Sequence, residues 1–351
     1  MKWTAGPVPA SADGMPAWAA LHAAAGASCL LAPSFVEPLL AAFARGDELL
    51  LECRDADRTI AMAVLRPTRR GSWQTFQPAQ APLGLWLQLP GIDTGRLVHG
   101  LVAALPGLPL VCALTQMDPM LMARPAPGPR LRTLDYIRTA RITLAGGFER
   151  YWEARGKNLR ANLKKQRRRL EREGIATRLE IVRAPCAMAQ AVADYSRLEG
   201  SGWKAGAGSA VRADDAQGAF YRHMLEAMAA RDAASVYRYH VGERLVAMDL
   251  CVEDAASIVV LKTAYDEDAP TGLSPALLMR EEAMRALFDG GRFERLEFYG
   301  RVMDWHTRWT DEVRTMYHVN YYRWPVLRRL HALLDARRKG SARAPTEESI
   351  S

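Results

Sequence analysis

The segment from Ala234 to Gly300 limits the fold more than any other part of the chain. "ASVYRYHVGERLVAMDLCVEDAASIVVLKTAYDE" holds three apolar runs rich in β-branched and aromatic residues, separated only by "VGER" and "EDAA". Connections that short join antiparallel strands. The pattern then changes: "SPALLMREEAMRALFDGG" has the apolar spacing of a helix, and "FERLEFYG" returns to a strand. Helices mixed with antiparallel strands, with one late strand, helix, strand unit, define an α+β chain with mixed, largely antiparallel sheets flanked by helices. They exclude a run of regular βαβ repeats.

The start of that helix carries chemistry of its own. Ser257 to Tyr265 ends in a loop containing Pro270 and Gly272; Ser274 can then cap the helix, Pro275 fits its first turn, and Gly290 and Gly291 end it. Free backbone N–H groups and the positive end of a helix dipole face whatever lies beyond the strand, which is a phosphate-binding geometry. Many well-capped helices bind nothing. No Walker A motif or G-x-G-x-x-G is present, so neither a nucleotide P-loop nor a dinucleotide site is supported.

Upstream, "PAWAALHAAA" and "SFVEPLLAAFAR" predict helices, and "DELLLECRD" with "RTIAMAVLRP" predicts a hairpin across "RDAD". A short strand "GSWQTFQP", a helix near Arg96 to Ala104 and a strand at Leu108 to Leu114 follow. The proline- and glycine-rich "ARPAPGPRLRT" is the connector. Beyond it come a strand near Tyr136 to Leu144, a basic helix, a strand "TRLEIVRA", the helices "CAMAQAVADYSRLEG" and "AQGAFYRHMLEAMAARD", and, after the unit above, a strand "YHVNYYRW" and a basic amphipathic segment. At 351 residues the chain suits two domains, expected at 1–130 and 131–335, with a polar tail at 336–351.

Two stretches imitate membrane signals. Residues 17–32 are interrupted by His22, dominated by alanine and preceded by Asp13, and predict an amphipathic helix rather than a signal peptide. Residues 97–117 carry no formal charge but are split by Pro106, Gly107 and Pro109. Five scattered cysteines without a Cys-x-x-Cys pair suit buried thiols in a reducing compartment. The expectation is a cytoplasmic protein without a membrane anchor.

Charge is concentrated in one place. From Lys157 to Arg172 there are eight Lys or Arg and one acidic residue, a net +7 of the chain's +8. A nucleic-acid-binding surface spreads its charge more widely. Leu159, Leu163 and Leu170 make a narrow docking stripe that leaves Arg160, Lys164, Arg167 and Arg168 free. A solvated basic helix is the ordinary alternative, yet such a run repels itself and has few i, i+4 partners. An anionic, phosphate-bearing ligand would offset that repulsion, and a membrane surface comes second to it.

Four segments, "KNLRANLKKQRRRLEREG", "LEGSGWKAGAGSAV", "LKTAYDEDAPTGLSPALLMREEAMRALFDGG" and "RLEFYGRVMDWHTRW", resemble in order and rough spacing the GNAT-fold acetyltransferases of the CelD-type, cellulose-biosynthesis-associated family. These are relatives of the Fem-type aminoacyl transferases of peptidoglycan synthesis. The likeness covers about residues 145–325, and the first part looks like a looser, degenerate front lobe. It implies two GNAT-like lobes, with acetyl-CoA or another acyl-CoA as co-substrate where two central strands splay, and its pyrophosphate at Gly272, Leu273 and Ser274. Ala276 stands where the family often has Gly, Glu297-Phe298 where it often has Asp-Phe, and His306-Thr307 where it often has Tyr-Lys.

Acyl transfer needs a proton acceptor, stabilisation of a developing oxyanion and an acid for the departing thiolate. Tyr265, at a strand end, could protonate sulfur or merely pack; Asp266 and Glu267 are bases or turn residues. The resemblance places "EGSGWK" by the acceptor cleft, making Glu199 the general-base candidate and Trp203 and Lys204 acceptor contacts. Lys262 joins Lys204 as a contact to an anionic group and is assigned to the acyl carrier. Arg160, Lys164 and Arg168 would hold the acceptor, with Asp304, Trp305 and His306 as a polar and aromatic cluster in which His306 could be a base. Seven histidines without a spaced pair, and no H-E-x-x-H or G-x-S-x-G, leave metal catalysis and a hydrolase triad unsupported. The expectation is a CoA-dependent acyltransferase acting on an amine or hydroxyl of a cell-envelope or exopolysaccharide precursor. The competing readings are aminoacyl transfer from charged tRNA and a non-catalytic subunit that binds anionic lipid headgroups.

Overall fold

The computed structural model describes residues 1–9, 15–200, 211–270 and 272–341, with side chains through Leu334. The first part comprises β1 (Lys2–Pro7), α1 (Pro16–Ala25), α2 (Pro33–Phe43), β2 (Leu49–Asp55), β3 (Arg58–Arg69), β4 (Ser72–Thr75), β5 (Trp86–Gln88), α3 (Thr94–Ala104) and β6 (Val111–Met117). The second comprises β7 (Leu131–Thr143), α4 (Phe148–Glu153), α5 (Lys157–Arg172), β8 (Thr177–Val182), α6 (Met188–Gly200), α7 (Ala216–Ala229), β9 (Ala234–Val241), β10 (Arg244–Glu253), β11 (Ser257–Tyr265), α8 (Pro275–Gly290), β12 (Arg295–Phe298), α9 (Asp304–Thr307), β13 (Val313–Tyr322) and α10 (Pro325–Ser341).

Thirteen strands form one sheet in the order β1-β2-β3-β4-β6-β13-β7-β12-β11-β10-β9-β8, with β5 added on β3. Two pairs are parallel, β4 with β6 and β11 with β12, and each is bridged by a helix, α3 and α8. The remaining pairs are antiparallel. The centre is an exchange: β7 follows the first lobe in sequence but pairs with β12 of the second. β13 follows the second lobe but pairs with β6 of the first, and β7 and β13 pair with each other.

Alternation along the strands divides the apolar side chains between two cores. One packs α5 and α8 on Tyr237, Tyr239, Ile258 and Val260; the other packs α6 and α7 on Val236, Leu250 and Val259 and runs on into the first lobe. Phe35 and Phe43 of α2 both contact Phe220 of α7, with ring centroids 5.7 and 5.6 Å apart. The two lobes are therefore joined by a continuous sheet and a shared core.

Several local expectations shift. The hairpin turns at Ala56, with φ 51°. The helix expected over 17–32 stops at Ala25, because Gly26 takes a left-handed cap and Cys29–Leu31 form a separate 3-10 turn. β7 begins at Leu131, so the chain passes from β6 to the second lobe through residues 118–130, which include the proline-rich 125–129, and α10 continues past residue 336 to Ser341. Four cysteines are buried; Cys186 is exposed.

Candidate functional site

β11 and β12 are in register from Ser257/Arg295 to Val260/Phe298; β11 then leaves β12 and runs on to Tyr265 paired with β10. Beyond it, Gly272 adopts φ +86°, a conformation that side chains disfavour, and a Cβ there would meet Arg169 Nη1 of α5 at 3.2 Å. The backbone N–H of Ser274 donates to Gln166 Oε1 of α5 at 2.7 Å. The Ser274 side chain does not cap α8, contrary to the sequence expectation, because with φ −123° and ψ 81° it makes no cap hydrogen bond. Its carbonyl instead accepts from Leu277 and Leu278 at 3.0 and 3.1 Å. Gly291 closes the helix in the left-handed region, as expected. A tight loop, a helix start without a side-chain cap and the flank of the basic helix thus meet at one point.

α5 buries Leu159, Leu163, Leu170 and also Gln166, whose amide takes part in the loop contact. The basic residues divide by flank. Arg169 turns to the loop and to Glu173, with Nε to Oε1 at 2.8 Å. Arg160 and Lys164 line a cleft of about 620 Å³ with Trp152, Lys157 and Arg285, closed on one side by Glu281 and Glu282. Arg168 is exposed. Arg167 is not free: it donates to Glu281, Glu282, Tyr239 and the Leu278 carbonyl, a bracket between α5, α8 and the sheet. Burial works against its charge, and these carboxylates more than restore it.

The other candidates scatter. Tyr265 is 43% exposed at the end of β11. Asp266 is buried, pairs with Arg244 at 2.5 Å and accepts the Asp268 N–H at 3.0 Å, which fits the turn role better than that of a base. Glu199 is 4% exposed; it accepts from the Val211 N–H at 2.7 Å and from the Tyr195 hydroxyl at 3.3 Å. Lys262 Nζ lies 6.0 Å from the centroid of the Tyr221 ring, on the sheet face opposite α8 and the loop. Trp203 and Lys204 lie outside the described residues.

Asp304 is exposed and Trp305 half-buried, but His306 is 4% exposed. It stacks on Trp305 with centroids 3.5 Å apart, and its Nδ1 accepts the Met303 N–H. Burial first, then the nearby Arg280 charge, lower its pKa to about 4 against the Met303 contact. A base that weak, with one nitrogen already engaged, is a structural imidazole rather than the base the sequence suggested.

Sequence reasoning missed two buried ionic groups. Arg280 of α8 pairs with Asp249 of β10 at 2.8 Å and lies over Phe298 of β12, so it spans the diverging strands. Thr263 donates to the same carboxylate, which burial nevertheless pushes upward. At the seam of the lobes, Arg314 of β13 grips Asp118 with contacts of 2.7 to 3.1 Å, donates to Glu297 at 2.7 Å and covers Tyr299, whose hydroxyl donates to Asp118. Burial raises Glu297 against the pull of Arg314. The only sequence signal for either group was a single charge inside an otherwise apolar run, as at Asp249 in "LVAMDLCV". Among the described residues, no group of three or more His, Cys, Asp or Glu could hold a metal ion.

Residues 157–307 match the model of the acetyltransferase (GNAT) domain family. No curated protein matches the chain. Among solved structures, FemX is similar with a TM-score of 0.56 at 8% identity, covering 93% of this chain and 99% of that one. The C-terminal domain of a protein named for lysylphosphatidylglycerol synthetase from Agrobacterium fabrum has a TM-score of 0.51 at 15% identity, covering 81% and 86%. L-PGS from Bacillus licheniformis has 0.51 at 13%, covering 86% and 90%. Identities this low speak to the fold: a large, mostly antiparallel sheet flanked by helices in two GNAT-like lobes.

Proposed function

We propose, from the premise that residues 157–307 are a GNAT-family acetyltransferase domain and the chain an acyltransferase, that it moves an acyl group, acetyl first, from an acyl-CoA to an amine or hydroxyl of an anionic cell-envelope or exopolysaccharide precursor. The observation that carries this is the meeting of Gly272, Ser274, Gln166 and Arg169 at the start of α8. A side chain at Gly272 would be strained at φ +86° and would crowd the Arg169 guanidinium, and the helix start offers a dipole and a guanidinium to a pyrophosphate. An acyl-CoA bound there supplies the acyl thioester.

The remaining roles fall to this chain's own residues. Tyr265, exposed at the strand end, donates a proton to the leaving sulfur as the acceptor nitrogen or oxygen bonds the acyl carbon and the carbon–sulfur bond breaks; the proton lost by the acceptor returns to Tyr265, so the products are the acylated acceptor and free thiol. Arg280, paired with Asp249 of β10 and lying over Phe298 of β12, sets a buried charge beside β11. Arg160, Lys164 and Arg285 bind the anionic acceptor in the cleft on the other flank of α5. The likeness of the quoted segments to the CelD-type family supports an envelope acceptor, and the buried thiols suit a cytoplasmic, reducing compartment.

Aminoacyl transfer from charged tRNA is the second reading. It is favoured by the basicity of both flanks of α5, more than one pyrophosphate requires.

Calorimetric titration with acetyl-CoA and longer acyl-CoAs tests the first. Wild type and Arg160→Glu/Lys164→Glu should bind alike, while Gly272→Val should bind about thirtyfold more weakly or worse, from strain and lost approach. Absence of binding across the series by folded protein removes the reading. Binding of tRNA at low salt that Arg160→Glu/Lys164→Glu abolishes would put the second in its place.

A further inference from the structure

α10 leaves the end of β13 with its apolar side outward. Trp324, Val326, Leu330, Leu333 and Leu334 are 43, 64, 53, 63 and 46% exposed. Val326, Leu330 and Leu333 are spaced by four and three residues, which aligns them in one stripe on a 17-residue helix roughly 25 Å long. The opposite side is the docked one: Leu327, Arg328, His331 and Ala332 are half-buried, and His331 Nδ1 meets the Tyr322 hydroxyl at 2.6 Å. The helix is therefore anchored to the sheet and still presents its apolar stripe to solvent.

Charge indicates what covers it. From Pro325 to Ser341 the sequence has five Lys or Arg and one acidic residue. Arg329 is exposed. Neighbouring strand ends add to this surface. The Arg323 N–H bonds the Leu110 carbonyl, and the Leu110 and Val111 N–H groups bond the Gly71 carbonyl. That places the exposed Arg69 and Arg70, and Leu108 at 56% exposure, beside the first turn of the helix. Exposed aliphatic and indole groups with cations beside them fit the interface of an anionic bilayer, where the stripe enters the acyl boundary and the cations meet headgroup phosphates. A second copy fits poorly, since a two-fold contact would set like charges against each other.

We infer that α10 and the adjoining strand ends dock the protein reversibly on an anionic lipid surface. The surface uses none of the residues of the loop at Gly272, so the inference stands whichever donor the enzyme uses.

Co-sedimentation of the full chain with vesicles tests it, comparing phosphatidylcholine alone with phosphatidylcholine containing phosphatidylglycerol, at low and high salt. Wild type should pellet with the anionic vesicles at low salt, release at high salt and ignore the neutral ones. Leu330→Ser/Leu333→Ser, which removes only exposed groups, should bind at least about tenfold more weakly, and Arg329→Glu should lose the preference for anionic lipid. Light scattering and thermal melts confirm that the variants stay folded. The inference is overturned if wild type fails to pellet with anionic vesicles at low salt, or if Leu330→Ser/Leu333→Ser binds unchanged. It is also overturned if wild type is a dimer that the double variant dissolves without any vesicle binding, which would make the face a self-contact.

Discussion

The two lobes carry the same strand, helix, strand crossover and finish it in opposite ways. In the first, β4 and β6 are in register over three pairs, and the chain then bridges the opening itself. The Thr75 hydroxyl meets both the hydroxyl and the N–H of Thr115, Gln77 bonds Gln116, and Gly84 donates to the Thr115 carbonyl. The helix start is taken as well: Asp93 caps α3 through the Arg96 N–H at 2.6 Å. In the second lobe, among the described residues, no hydrogen bond of that kind closes the opening between β11 and β12, and α8 begins without a side-chain cap beside Arg169. A carboxylate of the chain sits at one helix start and a cation beside the other. One crossover is completed from within, and the other is suited to a foreign anion.

The contrast can be broken most forcefully at the seam. Arg314→Met leaves Asp118 and Glu297 buried without their cation and should cost about 3–5 kcal/mol in urea unfolding. If only the second lobe melts early, the lobes are less coupled than the shared sheet implies. Next comes pH. The folded pKa of His306, about 4, lies below its ordinary 6.5, so its contribution is complete above 6.5 and is lost as pH falls towards 4. The loss is worth roughly 3 kcal/mol, and His306→Gln should flatten the stability profile in that window. Ser274→Asp copies the first lobe's arrangement into the second and should weaken acyl-CoA binding about a hundredfold, or roughly 2.7 kcal/mol, while leaving the melting temperature unchanged or higher. The smallest effect belongs to Asp93→Ala: about 1 kcal/mol of stability, with acyl-CoA binding intact. If the last two variants acted alike on binding, the lobes would not be divided in this way.

Much of this fold was legible because its signals are local. The β2–β3 hairpin, α3, α5, the β9 to β11 meander and the α8 crossover all follow from apolar period and turn residues. β1 was not legible, since "KWTAGP" buries only Trp3 and is a strand by virtue of pairing with β2. β5 is too short to have a period. The site divides similarly. The helix start was visible in Pro270, Gly272 and Pro275, whereas the placement of Gln166 and Arg169 beside it depends on how α5 docks, which no spacing along the chain encodes. Arg167 shows the limit most plainly: in sequence it is one of eight equivalent charges, and in the fold it binds two glutamates of α8.

The exchange of β7 and β13 bears on how the molecule is made. Residues 313–322 fill the middle of the sheet, and Arg314 meets Asp118 across 196 residues. As the chain leaves the ribosome, β6 and β7 emerge long before the strand that separates them, and each waits with an open edge. Closing so distant a pairing is slow. Because β13 lies between β6 and β7, the middle of the sheet is complete only when residues 313–322 have joined it.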